Sequence, residues 1–329
     1  MTTHVIFGTG PLGLAVMDEL TAAGRTVVLV NRSGKIHEAL PAGVSVRAAD
    51  ATDPRQVAAA CAGAEVAYLC AMPPYTAWPE QFPPLIKGVI GGLSGGDTKL
   101  IYGDNLYMYG PRIAGGRIHE GLPYAAAGHK GRTRAAMARL LLDAHQAGTI
   151  RVALGRAPDF YGPRAINATF GGMFVNAALR GKKPNLIGRL DQPHTYTFIR
   201  DFARALVTLG QHERALGRAW HVPSAPTITT GQMVELFGRE LGAPIRPRMA
   251  SKALLTALGW FNPLLREIKE MYDSFANPYV VDHSQFAAEF GAAPTPHPAA
   301  IAETVAWFRQ TKKEDSTQRR EAAKAQRSV

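Results

Sequence analysis

The chain of 329 residues is 46% apolar and 19% charged, with two cysteines and a formal net charge of +11. That length allows a nucleotide-binding lobe with a smaller substrate lobe, and no run approaches the roughly 20 uncharged apolar residues of a membrane span. Cys61 and Cys70 read as buried thiols, too few for a disulfide framework, and the positive charge is scattered apart from a basic C-terminal tail, with no zinc-finger, helix-turn-helix or RNP pattern to suggest a nucleic-acid partner.

In chain order, Val5-Ile6-Phe7 is a short apolar run ending in glycines. Leu12 to Leu20 then repeats apolar residues at helical spacing until Ala23-Gly24 stops it, which gives strand, turn and helix. Thr26 to Val30 is a β-branched strand that ends at Asn31-Arg32-Ser33-Gly34, and a third strand lies near Val44 to Arg47. Asp53 to Cys61 predicts a helix, Glu65 to Ala71 a buried strand, Phe82 to Leu93 a helix and Lys99 to Tyr102 a strand. A long helix over Arg132 to Gln146 and a sixth strand over Arg151 to Gly155 follow. The alternation predicts an α/β protein built on a Rossmann, doubly wound parallel sheet.

Beyond this point helical patterns at Gly171 to Arg180, Asp201 to Leu209, Thr230 to Leu241 and Pro298 to Arg309 suit a smaller, mainly helical lobe. The expected division is a dinucleotide-binding domain over 1–160, a substrate lobe over 161–309 with segments returning to the sheet, and a basic tail over 310–329, disordered or a frayed helix. The start runs straight into a strand with no basic segment before it, so a cytoplasmic protein without a membrane partner is expected.

Gly8-Thr9-Gly10-Pro11-Leu12-Gly13 is a G-x-G-x-x-G run at the mouth of the first helix. Gly8 allows the tight turn, Gly10 lets the backbone approach a pyrophosphate, and Gly13 permits close packing of helix on strand, while the helix N-terminus offers free N–H groups. At the end of the second strand an acidic residue would bind a ribose 2′-hydroxyl, but Asn31-Arg32-Ser33 stands there. Arg32 can fork onto a 2′-phosphate with Ser33 and Lys35 as added donors, which favours NADP(H) over NAD(H). His194, His221, His283 and His297 are too far apart in sequence for a local ligand motif, so no metal is expected. Phe170 to Phe174 and Trp260-Phe261-Asn262-Pro263 read first as core packing and second as a substrate pocket.

Asp50-Ala51-Thr52-Asp53, Tyr102 to Gly110, Arg156 to Pro163, Thr197 to Ala203 and Thr304 to Phe308 resemble landmarks of the extended short-chain dehydrogenase/reductases, the NAD-dependent epimerase/dehydratase family. The resemblance implies that Asp50 and Ala51 lie near the adenine and that Ala71 and Met72 line the cofactor's path. It also implies a catalytic Ser/Thr, Tyr and Lys, and this chain departs from all three. Asn105 stands at the serine position, Lys130 at the tyrosine and Arg134 at the lysine, which makes it an atypical member.

Asn105 can still bond a carbonyl oxygen, Lys130 can polarise it or donate a proton and also touch the cofactor, and Arg134 can depress the pKa of Lys130 or hold the nicotinamide ribose. A phosphate-binding or solvated helix face is the alternative for Lys130 and Arg134. Tyr107, Tyr109, Tyr124 and His129 are further candidate acids. Three functions follow from the resemblance: an NADP(H)-dependent oxidoreductase acting on a small-molecule carbonyl or alcohol, a nucleotide-sugar epimerase or dehydratase, and a regulatory protein that binds NADP(H) without turnover. Relatives pair through two helices matching Phe82 to Leu93 and Arg132 to Gln146, so a homodimer is expected, although the glycines at 88, 91, 92, 95 and 96 weaken the first of these.

Overall fold

Val5, Ile6 and Phe7 are apolar at consecutive positions because both faces of their strand are covered, and all three are buried. In the computed structural model, which describes residues 2–110 and 117–327 (the side chains of 263–264 and 313–327 excepted), this strand, β1 (Thr3–Phe7), lies inside a seven-stranded sheet. Its neighbours are β2 (Thr26–Asn31), then β3 (Val44–Ala48), on one side. On the other come β4 (Ala64–Leu69), β5 (Lys99–Asp104), Arg151–Arg156 and Ala219–His221. Every pairing is parallel. The strand order reverses between β1 and β4, which opens a crevice at their carboxyl ends.

Helix α1 (Pro11–Ala22) begins with Pro11 in its first turn and buries Leu14, Val16, Met17 and Leu20. Asp53 caps α2 (Pro54–Cys61) by accepting the Arg55 N–H at 2.9 Å. α3 (Trp78–Leu93) starts a turn earlier than its apolar pattern suggests, and α4 (His129–Gln146) also starts earlier than expected, which brings Lys130 into its first turn. Both early starts escape an apolar count, because α3 opens on Trp78-Pro79 and α4 on Gly128-His129-Lys130.

α2, α3 and α4 pack one after another, and Ile86, Val89, Met137 and Leu141 join the core beside Leu69 and Leu154. Each such aliphatic side chain stabilises the fold by about 1.5–3 kcal/mol. The glycines expected to weaken α3 serve that packing: a Cβ on Gly88 would lie 2.3 Å from the Ala51 carbonyl oxygen, and one on Gly92 2.5 Å from Val57.

The second core joins α1 and the helix Ile199–Gln211 to the C-terminal helices. After α5 (Gly172–Ala178), α6 (Ile199–Gln211) and α7 (Thr230–Leu241) come three helices the sequence pattern did not announce: α8 (Lys252–Gly259), α9 (Pro263–Ala276) and α10 (Ser284–Phe290). α8 and α9 pack against each other as a hairpin. The last helix, α11 (His297–Arg327), runs well past Arg309 into the segment expected to be disordered or frayed.

Phe170 and Phe174 are core, as expected, each 1% exposed. Trp260 and Phe261 correct the core reading of their segment, being 77% and 88% exposed at the turn of the α8–α9 hairpin. Composition alone reads an aromatic pair as core, but at a helix–helix turn nothing lies above it to pack. Cys61 is buried and Cys70 half-buried, both free, and burial pushes each thiol up to about 12.

Candidate functional site

At the crevice, Gly8 takes φ +105, and a Cβ there would lie 2.6 Å from the Ala71 backbone nitrogen, so only glycine lets the ends of β1 and β4 approach this closely. A Cβ on Gly13 would lie 2.0 Å from the Gly8 carbonyl oxygen, whereas one on Gly10 would meet nothing within 4 Å. Gly10 is also the N-cap of α1 and brings no capping side chain. The first-turn N–H groups of Leu12 and Gly13 have no helical acceptor, and beside the open space at Gly10 they form a cradle that fits a pyrophosphate.

The loop after β2 is organised by Asn31. Its Oδ1 accepts from the Ser33 N–H (3.0 Å), the Ser33 hydroxyl (3.0 Å) and the Gly34 N–H (2.7 Å), while its Nδ2 donates to Thr9 Oγ1 (3.2 Å) and the Lys35 carbonyl (2.8 Å). Asn31, read from sequence as a cofactor contact, thus ties the two loops to each other. Arg32 is exposed, and among the described residues its side chain has no partner. Asp50 commits Oδ1 to the Thr52 N–H (2.9 Å) and hydroxyl (2.8 Å), and Ala51 and Ala71 are half-buried beside the exposed Met72. Apart from Lys130 on α4, the residues expected to contact a dinucleotide lie at the carboxyl ends of β1, β2, β3 and β4 or in the first turn of α1.

Asn105, just after β5, accepts the Tyr107 N–H on Oδ1 at 3.1 Å. This bond fixes the amide, and its NH2 has no partner among the described residues. Tyr107 stacks on Trp78 and shares a hydrogen bond with the Tyr75 hydroxyl; burial drives its own hydroxyl well above the ordinary tyrosine range.

Lys130 is fully buried. Its Nζ forms an ion pair with Glu267 of α9 and lies 4.2 Å from the centroid of the Tyr75 ring. Burial lowers its pKa to about 8 against the opposing pull of Glu270. Glu270 accepts the Lys130 backbone N–H at 3.2 Å, supplying a cap that Gly128, the N-cap residue of α4, lacks. His129 places Nε2 3.1 Å from Glu267 and Nδ1 3.0 Å from Glu270. Ligand atoms of His129, Glu267 and Glu270 lie within 4.8 Å of one another, the one grouping of metal-ligand type among the described residues. The Lys130 ammonium already balances Glu267 there.

Arg134 is not on a solvated helix face. It is 4% exposed, donates to Tyr102 Oη and pairs with Asp104 at 3.2 Å, its guanidinium 4.5 and 4.3 Å from the rings of Trp78 and Phe82. Asp104 also binds Arg156 Nε at 3.2 Å, and Arg156 donates to Tyr109 Oη (2.7 Å) and to Tyr124 Oη. Tyr109 Oη meets His221 Nε2 at 3.0 Å. Burial beside the Arg156 cation holds His221 down to about 3, and burial raises Tyr109 to about 12.

Tyr109 and Tyr124, named above as candidate acids, are therefore bound into a buried network centred on Asp104 and Arg156. Sequence reasoning missed Asp104, Glu267 and Glu270. The one local signal was an acid closing an apolar strand next to Asn105; the two glutamates are more than 130 positions from Lys130 and gave none.

Residues 97–222 match the model of the NAD dependent epimerase/dehydratase family. No curated protein matches the sequence. Among solved structures, a UDP-glucuronic acid 4-epimerase from Bacillus cereus, in complex with UDP-glucuronic acid and NAD, superposes with a TM-score of 0.76 at 15% identity, over 94% of this chain and 100% of that one. A nucleoside-diphosphate-sugar epimerase from Pseudomonas aeruginosa gives 0.74 at 18%, over 94% and 98%. A dTDP-glucose 4,6-dehydratase from Bacillus anthracis gives 0.74 at 15%, over 95% and 98%. Residues 97–222 are thus similar to the NAD dependent epimerase/dehydratase family, and the chain shares the Rossmann fold of these structures, with Asn105, Lys130 and Arg134 where serine, tyrosine and lysine were expected.

Proposed function

We propose that this protein holds a nicotinamide dinucleotide along the crevice and oxidises a carbinol carbon, or reduces a carbonyl carbon, of a small-molecule substrate, with Lys130 as the proton-transferring group. The observation that carries the reading is Lys130 itself: a buried amine at the tyrosine's place, lowered to about 8 and held against Glu267. Such a group is poised to give or take a proton near neutral pH.

When bound, the nicotinamide supplies the hydride acceptor or donor. Asn105 offers its NH2 to the substrate oxygen, its amide fixed by the Tyr107 N–H. Lys130 moves the proton at Nζ, Glu267 holds that amine in place, and Arg134 with Asp104 locks α4 to the end of β5. The residues Gly8, Gly10, Pro11, Leu12, Gly13, Arg32, Ser33, Asp50, Ala51, Ala71 and Met72 form the dinucleotide's path in this reading, and the lobe over 161–309 holds the substrate.

The family match favours a nucleoside-diphosphate sugar whose carbinol carbon is oxidised and then reduced again before release. A second reading, an NADPH-consuming carbonyl reductase, is favoured by the unpartnered Arg32 at the 2′-phosphate position. The proposed homodimer through α3 and α4 is tested separately by light scattering.

The test is fluorescence titration with NADPH and NADH, followed by incubation with nucleotide sugars and with an aldehyde and ketone panel. Product is followed by NMR and the nicotinamide band by absorbance. A converted sugar with no net change in that band supports the first reading, and net NADPH loss supports the second. Binding without any turnover leaves a dinucleotide-sensing protein, and no binding of either cofactor overturns both enzyme readings.

A further inference from the structure

The corner of the α8–α9 hairpin presents apolar surface that the fold does not use. Leu255 and Gly259 point inward, while Leu254 and Leu258 on the other side of α8 are 49% and 45% exposed and continue into Trp260 and Phe261, 77% and 88% exposed. Leu254 and Leu258, four residues apart, share one face of α8, and Trp260 and Phe261 follow in the turn. The two rings alone present on the order of 300 Å², already the size of the largest apolar patch expected on a soluble monomer.

The chain leading into this corner is basic: Lys252 at the start of α8 pairs with Asp273 at 2.8 Å, but the cations before it do not have such a partner. The strand Arg248–Ala250, immediately before α8, pairs with Asn185–Ile187. Lys182, Lys183 and Arg246, close to those two strands, line a cavity of about 480 Å³ together with Arg309, and no acidic residue lines it. Among the described residues none of Lys182, Lys183, Arg246 and Arg248 has a carboxylate partner. By contrast Arg189, Arg200, Arg204 and Arg214, all surface cations, each pair with one.

We infer that the α8–α9 corner docks on an anionic lipid surface, with Trp260 and Phe261 entering the headgroup region and the unpaired cations facing the anionic headgroups. This is surface association and not a span, since no described helix is long and apolar enough to cross a membrane. Exposed aromatics at one end of α8 and unpaired cations before the other are the combination that gives a peripheral protein both its insertion and its charge attraction. A second copy of the chain fits this corner less well, because a stable interface needs about 800 Å² from each partner and the two rings offer on the order of 300 Å². The inference goes beyond the proposed enzymatic reading and does not depend on it.

Full-length protein is sedimented with vesicles of phosphatidylcholine and with vesicles containing phosphatidylglycerol, at low and high salt, while tryptophan emission is recorded. Of the four tryptophans, Trp78 and Trp220 are buried and Trp307 is half-buried, so Trp260 dominates any change in polarity. The expected result is partition at least about tenfold stronger onto the anionic vesicles, weakened by salt, with a blue shift and quenching by brominated lipid. Trp260→Phe should bind but lose the shift. Trp260→Ser with Phe261→Ser, and separately Lys183→Glu with Arg246→Glu, should each weaken binding about tenfold with the unfolding temperature unchanged. Three outcomes overturn the proposal: no binding to either vesicle, binding indifferent to the Trp260 and Phe261 pair, or a dimer in solution that this pair dissolves.

Discussion

Gly10 and Gly13 stand three residues apart in one turn and should respond in opposite ways to the same methyl group. Gly13→Ala drives a Cβ to 2.0 Å from a backbone oxygen and should destabilise the fold by about 3 kcal/mol or more, read as a fall in the urea midpoint. Gly10→Ala meets nothing and should cost less than about 1 kcal/mol, the difference between two poor N-caps, yet weaken dinucleotide binding at least tenfold because the methyl occupies the cradle. Lys130 gives the second prediction at this scale. Oxidation of an alcohol needs the neutral amine, so kcat/KM in that direction should climb as pH rises through about 8 and level off above it. Carbonyl reduction needs the ammonium and should decline over the same interval. Lys130→Met should remove this dependence and lower the rate by about 10²–10⁴-fold. An unchanged pH profile in that variant would assign the proton to another group.

At the scale of elements, Asp104 joins β5 to α4 through Arg134 and to the strand Arg151–Arg156 through Arg156. Asp104→Asn leaves two buried guanidinium groups without their counter-charge and should destabilise the protein by about 3–5 kcal/mol, measured by chemical denaturation. The contact of α9 with the N-terminus of α4 is more local. Glu270 replaces a missing N-cap and Glu267 meets Lys130, so Glu270→Ala should speed amide hydrogen exchange in the first turn of α4 while the sheet stays protected. Uniform exchange changes across both regions would refute that local role. The glycines of α3 belong to this scale too. Their spacing reads as a weak helix, and only the approach of α2 and the Ala51 loop shows why side chains are excluded there.

For the whole molecule, acid stability should be set in part by His221. Its imidazole ionises at 6.5 in an unfolded chain and is held near 3 in the native core, so between those values the unfolded state binds the extra proton. Stability is therefore unaffected above pH 6.5 and falls as pH drops below it, by up to about 1.4 kcal/mol per unit for this one group. Urea midpoints measured from pH 7.5 downward should show that slope, and His221→Gln should flatten it. The order of strands and helices through Arg156, the glycine turn and the cation after β2 were legible in the sequence, because periodicity of two and 3.6 residues and the dihedral freedom of glycine are local properties. The site was legible only as positions. Asn105, Lys130 and Arg134 could be counted off, but their surroundings come from Glu267, Glu270, Asp104 and Trp78, brought together by packing. The exposed aromatic corner was misread for the same reason, since whether Trp260 and Phe261 are covered depends on what lies above the α8–α9 turn. Hydrophobic pattern determined which segments fold and against which face; burial, and with it every shifted pKa and every partner of a charge, was decided by the tertiary structure, because desolvation and Coulomb interactions depend on distance in space and not along the chain.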